Sequence, residues 1–410
     1  MLHEICRKSF MRKAAIDSFW GPLEVAAALR SQGGLVFLDT GGASTGSCAR
    51  SFVAADPSEM LRGHIDRDWA LVSQVLEERQ GSAGGLFGWV GYDGHFTFGV
   101  YPHVMVFHHQ DQSWSESGAL SQRLVPDAAV LPAPPSLAFR PLVTRAAFVE
   151  SVRQAQNYIA AGDVYQVNLA HPWQASWPLE ADALALYARL RKVSPAPYSA
   201  FAELDGTCVI SSSLESFLHM QGRTITTRPI KGTRPRFPHD EVKDRQSAHE
   251  LAQSPKERAE LLMITDLLRN DLGMVCDYGS ICVPDLARVE SFAQVFHLVS
   301  TVTGTLRQRI DHAAAFQACF PGGSITGAPK KRAREIIAEL EPHPRGMYTG
   351  ALGYFGFDGE SEFNIIIRTA VQQEGRIVFH AGAGIVADSV PELEHEETLH
   401  KASGLLRTAL

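Results

Sequence analysis

Phe217-Leu218-His219-Met220-Gln221-Gly222-Arg223-Thr224-Ile225-Thr226-Thr227 reads as two extended runs joined by a Gln-Gly turn, a β-hairpin. Counting back from the turn puts Glu215 about opposite Arg228. Glu215 therefore lies near the open end of the hairpin, beside the run Arg228-Pro229-Ile230-Lys231-Gly232-Thr233-Arg234-Pro235. Lys231 is held there between two prolines and next to a glycine, where φ is fixed on either side and the backbone is free to turn tightly. An aimed ammonium and a solvated loop lysine both fit that placement.

Outward from the hairpin, further strands are expected at Ala293 to Thr303, Tyr348 to Phe357, Phe363 to Gln372 and Arg376 to His380. Helices are expected at Pro255 to Leu272, Ala313 to Cys319, Pro329 to Leu340 and Pro391 to Leu406. Upstream, Thr144 caps a helix with apolar positions Phe148, Val152, Ala155 and Ile159, and Gly162 follows its end. The next strand, Asp163 to Leu169, alternates: Tyr165, Val167 and Leu169 on one face, Gln166 and Asn168 on the other. Helices and hairpins in mixed order indicate an α+β fold rather than a βαβ repeat. Five prolines between Val125 and Pro141 mark a connection, so residues 1-140 are read as a β-rich N-terminal subdomain and 141-410 as the catalytic region. The N-terminal part shows strand-like runs at Leu35 to Asp39, Gly85 to Tyr92 and Val104 to His108, a helical stretch near Trp69 to Glu78, and no catalytic motif.

The chain has 410 residues, 45% of them apolar, and a net charge of -7, which supports a large core and supplies no basic field for nucleic acid. No run approaches the roughly 18 apolar residues of a membrane span. Charges interrupt Met1 to Trp20, so no secretory signal is read there, and a soluble cytoplasmic protein is expected. The six cysteines (Cys6, Cys48, Cys208, Cys276, Cys282, Cys319) are scattered, which fits neither a zinc ribbon nor a disulfide framework.

Glu257 and Glu260 are three apart on one expected helix, and Glu394 and Glu397 three apart on another, so each pair presents carboxylates on one face. Such hard oxygen donors suit Mg²⁺. A competing reading exists for Glu257, since Ser254-Pro255-Lys256-Glu257 matches a capping box, and for Lys401, which stands four residues after Glu397 as a helical ion-pair partner. His395 to His400 fails the zinc-protease spacing by one residue. Gly322 to Pro329 has Ala328 where a P-loop needs lysine, leaving a glycine-rich turn into a helix with amides free to hold a carboxylate. Gly382-Ala383-Gly384 is read as a backbone anion nest. Arg368 ends an apolar run and needs an anion, from the protein or from a ligand. His297, in Val295 to Val299, is either a hydrogen-bonded core residue or a pocket residue.

Taken together, GDVYQVNLA (162–170), PIKGTRPR (229–236), ERAELLMITDLLRNDLG (257–273), FHLVSTVTGTL (296–306), PGGSITGAPKKRAREII (321–337), YTGALGYFGFDG (348–359), NIIIRTA (364–370) and AGAGIVADSVPELEHEETLHKA (381–402) form one ordered set. By these motifs the chain resembles the chorismate-utilising enzymes and, within them, the component I branch of the aminodeoxychorismate synthases. The resemblance covers roughly residues 146 to 406. It implies large mixed or antiparallel sheets packed together with helices outside. It also implies Mg²⁺ held chiefly by Glu260 and Glu397, with Glu257 and Glu394 completing the acidic site and the metal taking the ring carboxylate. Arg368 and Tyr348 would bind the enolpyruvyl carboxylate; Gly232, Thr233, Ser324, Thr326, Gly382, Gly384 and Lys401 would line the pocket, with His297 beside the ring.

The lysine form of the 229–236 loop marks the aminodeoxychorismate branch, where similar anthranilate synthases carry alanine. The resemblance implies Lys231 as covalent nucleophile, Glu215 as the acid for the C4 hydroxyl, and Gln166 where water-using relatives place a base lysine. One departure is Ser213-Leu214-Glu215, where the family reads Ser-Pro-Glu. No glutaminase cysteine motif occurs, so ammonia is expected from solution or from a separate glutaminase subunit, component II. With few residues after Lys401, no fused lyase domain is expected. The expected reaction is a transaminase-class conversion of chorismate and ammonia to 4-amino-4-deoxychorismate, enolpyruvyl retained, on the route to para-aminobenzoate and folate. Anthranilate synthase component I is the alternative, and a catalytically silent scaffold for a glutaminase a more remote one. Residues 1 to 140 show no pattern specific for a tryptophan effector.

Overall fold

The computed structural model describes residues 11–14, 16, 20–41, 50–292 and 295–410. Cys6, Cys48, most of the Met1 to Trp20 stretch and the first two residues of the strand expected from Ala293 lie outside them. Among the described residues, twelve strands form one sheet and ten form another. Every pairing is antiparallel.

The sheets pack face to face, because their inner faces share one apolar cluster. Val36, Ala54, Val106, Ala200 and Val209 of the first sheet meet Phe87, Trp89, Leu352 and Tyr354 of the second. A fully buried side chain of this kind contributes about 1.5–3 kcal/mol. Helices cover the outer faces. Pro22–Leu29, Ala183–Val193 and Pro391–Thr408 close the first sheet, while Ala70–Glu78, Pro255–Gly273 and His312–Cys319 supply apolar residues beside the second. The result is the two-sheet α+β arrangement expected, with helices outside.

Strands from the first 140 residues belong to both sheets. Val36–Asp39 pairs with Tyr198–Leu204, and Gly85–Val90 pairs with Ala351–Gly356. The two parts of the chain thus complete each other's sheets through backbone hydrogen bonds.

The expected strand from Phe363 to Gln372 is two strands. Glu360–Ile365 lies in the second sheet and Thr369–Gln373 in the first, with Arg368 at φ +52 between them. Apolar content alone marks both halves as buried and carries no signal for a change of sheet. A second crossing runs alongside. Thr207–Ser213 belongs to the first sheet and Ser216–Gln221 to the second, so Glu215 sits in the step between them. The crossings are tied together: the Ser213 hydroxyl donates to the Ile365 carbonyl at 2.6 Å, the Ile365 amide to the Glu215 carbonyl at 3.0 Å, and the Ser212 amide to the Arg368 carbonyl at 3.1 Å.

Candidate active site

The hairpin is Ser216–Gln221 and Thr224–Arg228, with Ser216 opposite Arg228, so Glu215 stands at its open end as the turn counting requires. Ile230–Pro235 continues as a strand against Val295–Thr305, and its register slips between Lys231 and Thr233. Gly232 makes that slip, at φ +65, a region other residues rarely adopt. His297 fixes the bulge. Its Nδ1 lies 3.0 Å from the Gly232 carbonyl and 3.1 Å from Thr233 Oγ1. A carbonyl only accepts, so Nδ1 carries the proton and Nε2 the lone pair. Burial pushes the ring down to about 4, against the Gly232 bond, so it is neutral at ordinary pH.

Gln166–Ser176 pairs with Arg376–Ile385, Asn168 facing Gly384 and Ala170 facing Gly382. Val167 and Leu169 enter an apolar cluster with helices Arg145–Ala160 and Lys330–Leu340, while the Gln166 and Asn168 amides turn the other way. Tyr165, expected on the same strand face as Val167 and Leu169, precedes the strand and is 73% exposed. Both polar atoms of Gln166 and the Asn168 Oδ1 are buried without a hydrogen-bond partner among the described residues. The Gly382-Ala383-Gly384 nest is not formed, since these residues lie in a regular strand. The glycines clear space instead: a Cβ on Gly384 would stand 2.8 Å from Gln166 Nε2 and 3.7 Å from Lys231 Nζ, and one on Gly382 would stand 2.9 Å from Asn168 Oδ1.

Around this bare floor the expected groups gather. Burial pushes the Glu215 carboxyl up to about 6, opposed by a hydrogen bond from Ser324 and by the charges of Lys231 and Lys401. Lys401 Nζ donates to the Gly382 carbonyl at 2.9 Å and pairs with Glu397 at 2.6 Å, so its ion-pair reading holds while it also reaches the floor. Arg368 donates to the Lys401 carbonyl at 2.9 Å, and no ion pair to it is found among the described residues. Burial lowers its pKa, with Tyr348 and Glu397 opposing. Tyr348 stands in the turn before Ala351–Gly356, stacked on His380 at 5.1 Å, its phenol pushed up to about 12 by burial. Thr326 points its hydroxyl to the Gly322 carbonyl at 3.0 Å, so that proton is already used. Pro329 caps the helix Lys330–Leu340 rather than lying within its first turn, and Gly327-Ala328 forms a short strand against Gln166 and Val167.

Glu257 and Glu260 lie on Pro255–Gly273, and Glu394 and Glu397 on Pro391–Thr408. The capping box is half made: Ser254 accepts from the Glu257 amide at 3.4 Å, but the Glu257 carboxylate lies beside Gly232 and 3.7 Å from Arg234. Burial raises Glu260, with repulsion from Glu257 and Glu397 adding to it, and burial raises Glu394, with Glu397 adding. Glu397, half exposed, is lowered because Lys401, Lys231 and Lys256 outweigh its desolvation. The two helices therefore bring their carboxylates within mutual electrostatic reach. Among the described residues no three such groups stand close enough to hold a metal ion unaided. Their hard oxygens and mutual repulsion nonetheless fit a divalent cation, a role now shared by lysines.

Arg345 carries no sequence signal, sitting in a His-Pro-Arg-Gly loop, yet it fixes the floor from behind. It is buried, pairs with Glu341 at 2.7 Å, and donates to the Asn168 carbonyl at 2.8 Å and the Ile325 carbonyl at 3.1 Å. Cavities of about 1350 Å³ and 520 Å³ lie elsewhere, one between Pro255–Gly273 and Lys330–Leu340 and one behind Tyr348 and His380. Neither is lined by Glu215, Lys231 or Gln166, so chemistry rather than volume marks this site.

Residues 48–407 match the model of the chorismate binding enzyme family. The chain belongs to that family. It is 43% identical over 317 residues to aminodeoxychorismate synthase component 1 of Salmonella typhimurium, covering 76% of this chain and 69% of the relative. It is 39% identical over 399 residues to anthranilate synthase component 1 of Streptomyces coelicolor, covering 86% and 77%. The crystal structure of anthranilate synthase component I from Streptococcus pneumoniae superposes with a TM-score of 0.75 at 29% identity, covering 89% of this chain and 93% of that one. Among the described residues no helix is long and apolar enough to cross a membrane.

Proposed function

We propose that this chain aminates chorismate at C4, giving 4-amino-4-deoxychorismate with the enolpyruvyl group retained, using ammonia from a separate glutaminase subunit. The observation that carries the reading is the meeting of Lys231 and Glu215 at one glycine floor beside an unpartnered Gln166 amide. Glu215, with its proton held up to about pH 6, is the acid. Lys231, having released its ammonium proton to solvent, attacks as the neutral amine: Nζ forms a bond to C2, the ring double bonds shift, the C4–O bond breaks, and the departing oxygen leaves as water with the Glu215 proton. Ammonia then bonds to C4, the double bonds shift back, the C2–Nζ pair returns to the lysine, and the surplus proton goes to the Glu215 carboxylate.

Arg368, with no carboxylate partner among the described residues, suits a substrate carboxylate, and Tyr348 stands beside it. Glu260 and Glu397, with Glu257 and Glu394, would hold Mg²⁺, which when bound supplies positive charge for the ring carboxylate. His297 keeps the Gly232 bulge, and with it Lys231, in place. Gln166 is too weak a base to activate water, which favours ammonia as nucleophile.

Incubation with chorismate, Mg²⁺ and ammonium salt tests the reading. The expected product is 4-amino-4-deoxychorismate; fluorescent anthranilate with pyruvate would instead assign the chain to the anthranilate synthases. Lys231→Ala is expected to lower amination by at least about 100-fold with the melting temperature retained. Unchanged turnover in that variant would mean that ammonia attacks C4 directly.

A further inference from the structure

We propose that Asn168 is the residue that receives the incoming ammonia, accepting one of its N–H bonds at the amide oxygen; this deepens the amination reading above and rests on it. The main chain of Asn168 is fully engaged. Its amide donates to the Thr326 carbonyl at 2.9 Å, and its carbonyl accepts from the buried Arg345 at 2.8 Å. The backbone is thereby locked, and what remains is a side chain only 8% exposed whose Oδ1 has no hydrogen-bond partner among the described residues. A buried acceptor left open on a residue whose main chain is fully engaged points to a donor that arrives from outside.

The space over that oxygen is kept free. A Cβ on Gly382 would lie 2.6 Å from the Leu169 carbonyl and 2.9 Å from Asn168 Oδ1, so the glycine that lets the strands approach also leaves that oxygen uncovered. The two unpartnered amides also differ in their neighbours. Gln166 stands by Gly384 and Lys231 Nζ. Asn168 stands by Gly382, whose carbonyl takes Lys401 Nζ, on the side away from the lysine that attacks C2. Two nucleophiles must enter in turn, one at C2 and one at the carbon that loses its hydroxyl to the acid. The floor provides an amide for each, and the one on the Lys401 side belongs to the second.

The residue type suits the task. A carboxylate there would hold ammonium, whose nitrogen has no lone pair to give. A hydroxyl is able to donate into the lone pair and quench it. An amide oxygen only accepts, so it binds ammonia through one N–H and leaves the lone pair directed at C4. As C4–N forms and C2–Nζ breaks, the surplus proton moves to Glu215, which had surrendered its own to the leaving hydroxyl.

Asn168→Leu tests this, being close in size and without a polar atom, with Asn168→Ala as a second variant should leucine not fit. Initial rates are measured at fixed pH while varying ammonium chloride and then chorismate, alongside melting temperatures. Wild-type protein is expected to form the 4-amino product. The variant is expected to show a KM for ammonia raised about tenfold or more, a KM for chorismate within about threefold, and a melting temperature equal to or above wild type because an unsatisfied buried acceptor has been removed. An aminating wild type with an unchanged ammonia KM in both variants overturns the role of Asn168 alone. A joint rise in both KM values with a lowered melting temperature does the same, since it marks a structural residue. A wild type that forms no aminated product overturns the amination reading and this inference with it.

Discussion

The two helices that carry the glutamates and the strand pair that carries the amides border the same site, yet they stand in opposite states. The helical carboxylates are answered within the protein. Lys401 pairs with Glu397 at 2.6 Å, and Lys256 approaches Glu260 at 3.9 Å. Among the described residues, both polar atoms of the Gln166 amide and Oδ1 of Asn168 have no hydrogen-bond partner. Charge reaches across several ångströms and recruits flexible lysines, whereas a hydrogen bond needs an atom within about 3 Å and in line. A charged rim is thus balanced before a ligand arrives, and a neutral floor is completed only by one.

The largest expected effect breaks the rim. Glu260→Gln or Glu397→Gln removes one hard anionic donor and should lower Mg²⁺-stimulated activity by at least about 100-fold. A magnesium titration of the rate checks it, and a variant with wild-type metal dependence would take that residue out of the ligand set.

The next effect tests the floor, where two glycines one residue apart should behave differently. Gly384→Ala places a Cβ 2.8 Å from Gln166 Nε2, the end of a side chain, so the amide shifts and the melting temperature changes little, while the KM for chorismate rises about tenfold. Gly382→Ala places its Cβ 2.6 Å from the Leu169 carbonyl, which is backbone, and should destabilise by about 1–3 kcal/mol. Equal melting temperatures for the two variants would contradict this division.

The smallest shift is in stability, and it separates the acid's chemistry from the burden of burying it. The folded Glu215 carboxyl titrates near 6 against an unfolded value of 4.5, so the folded state holds the proton more tightly. The stability this confers is full below about pH 4.5 and is lost as pH rises through about 6, leaving a deficit of about 2 kcal/mol at pH 8. Glu215→Gln should therefore cut the rate by about 10²- to 10⁴-fold yet melt higher than wild type at pH 8, with the gap closing towards pH 4.5. Melting curves across that range decide it.

Local spacing made much of this legible in the sequence. The Gln221-Gly222 turn located Glu215, period-two alternation separated Gln166 and Asn168 from Val167 and Leu169, and i,i+3 spacing paired the glutamates. Less legible were features set by distant chain. Nothing near Arg368 announces that the chain leaves one sheet for the other, because strands buried on both faces share one apolar composition. Gly382-Ala383-Gly384 looks like a turn in isolation and is part of a strand because the ten residues from Val167 to Ser176 pair along it. Arg345 was invisible for the same reason: its acceptors are carbonyls up to 177 positions away.

The paired crossings have a mechanical consequence. Glu215 and Arg368 are mounted on two neighbouring steps where the chain passes between sheets, and three hydrogen bonds rivet those steps to each other. When the sheets shear, proton donor and guanidinium travel as one body. Their spacing is insulated from the breathing of the sandwich, while the lysines and glutamates on strands and helices around them are free to adjust.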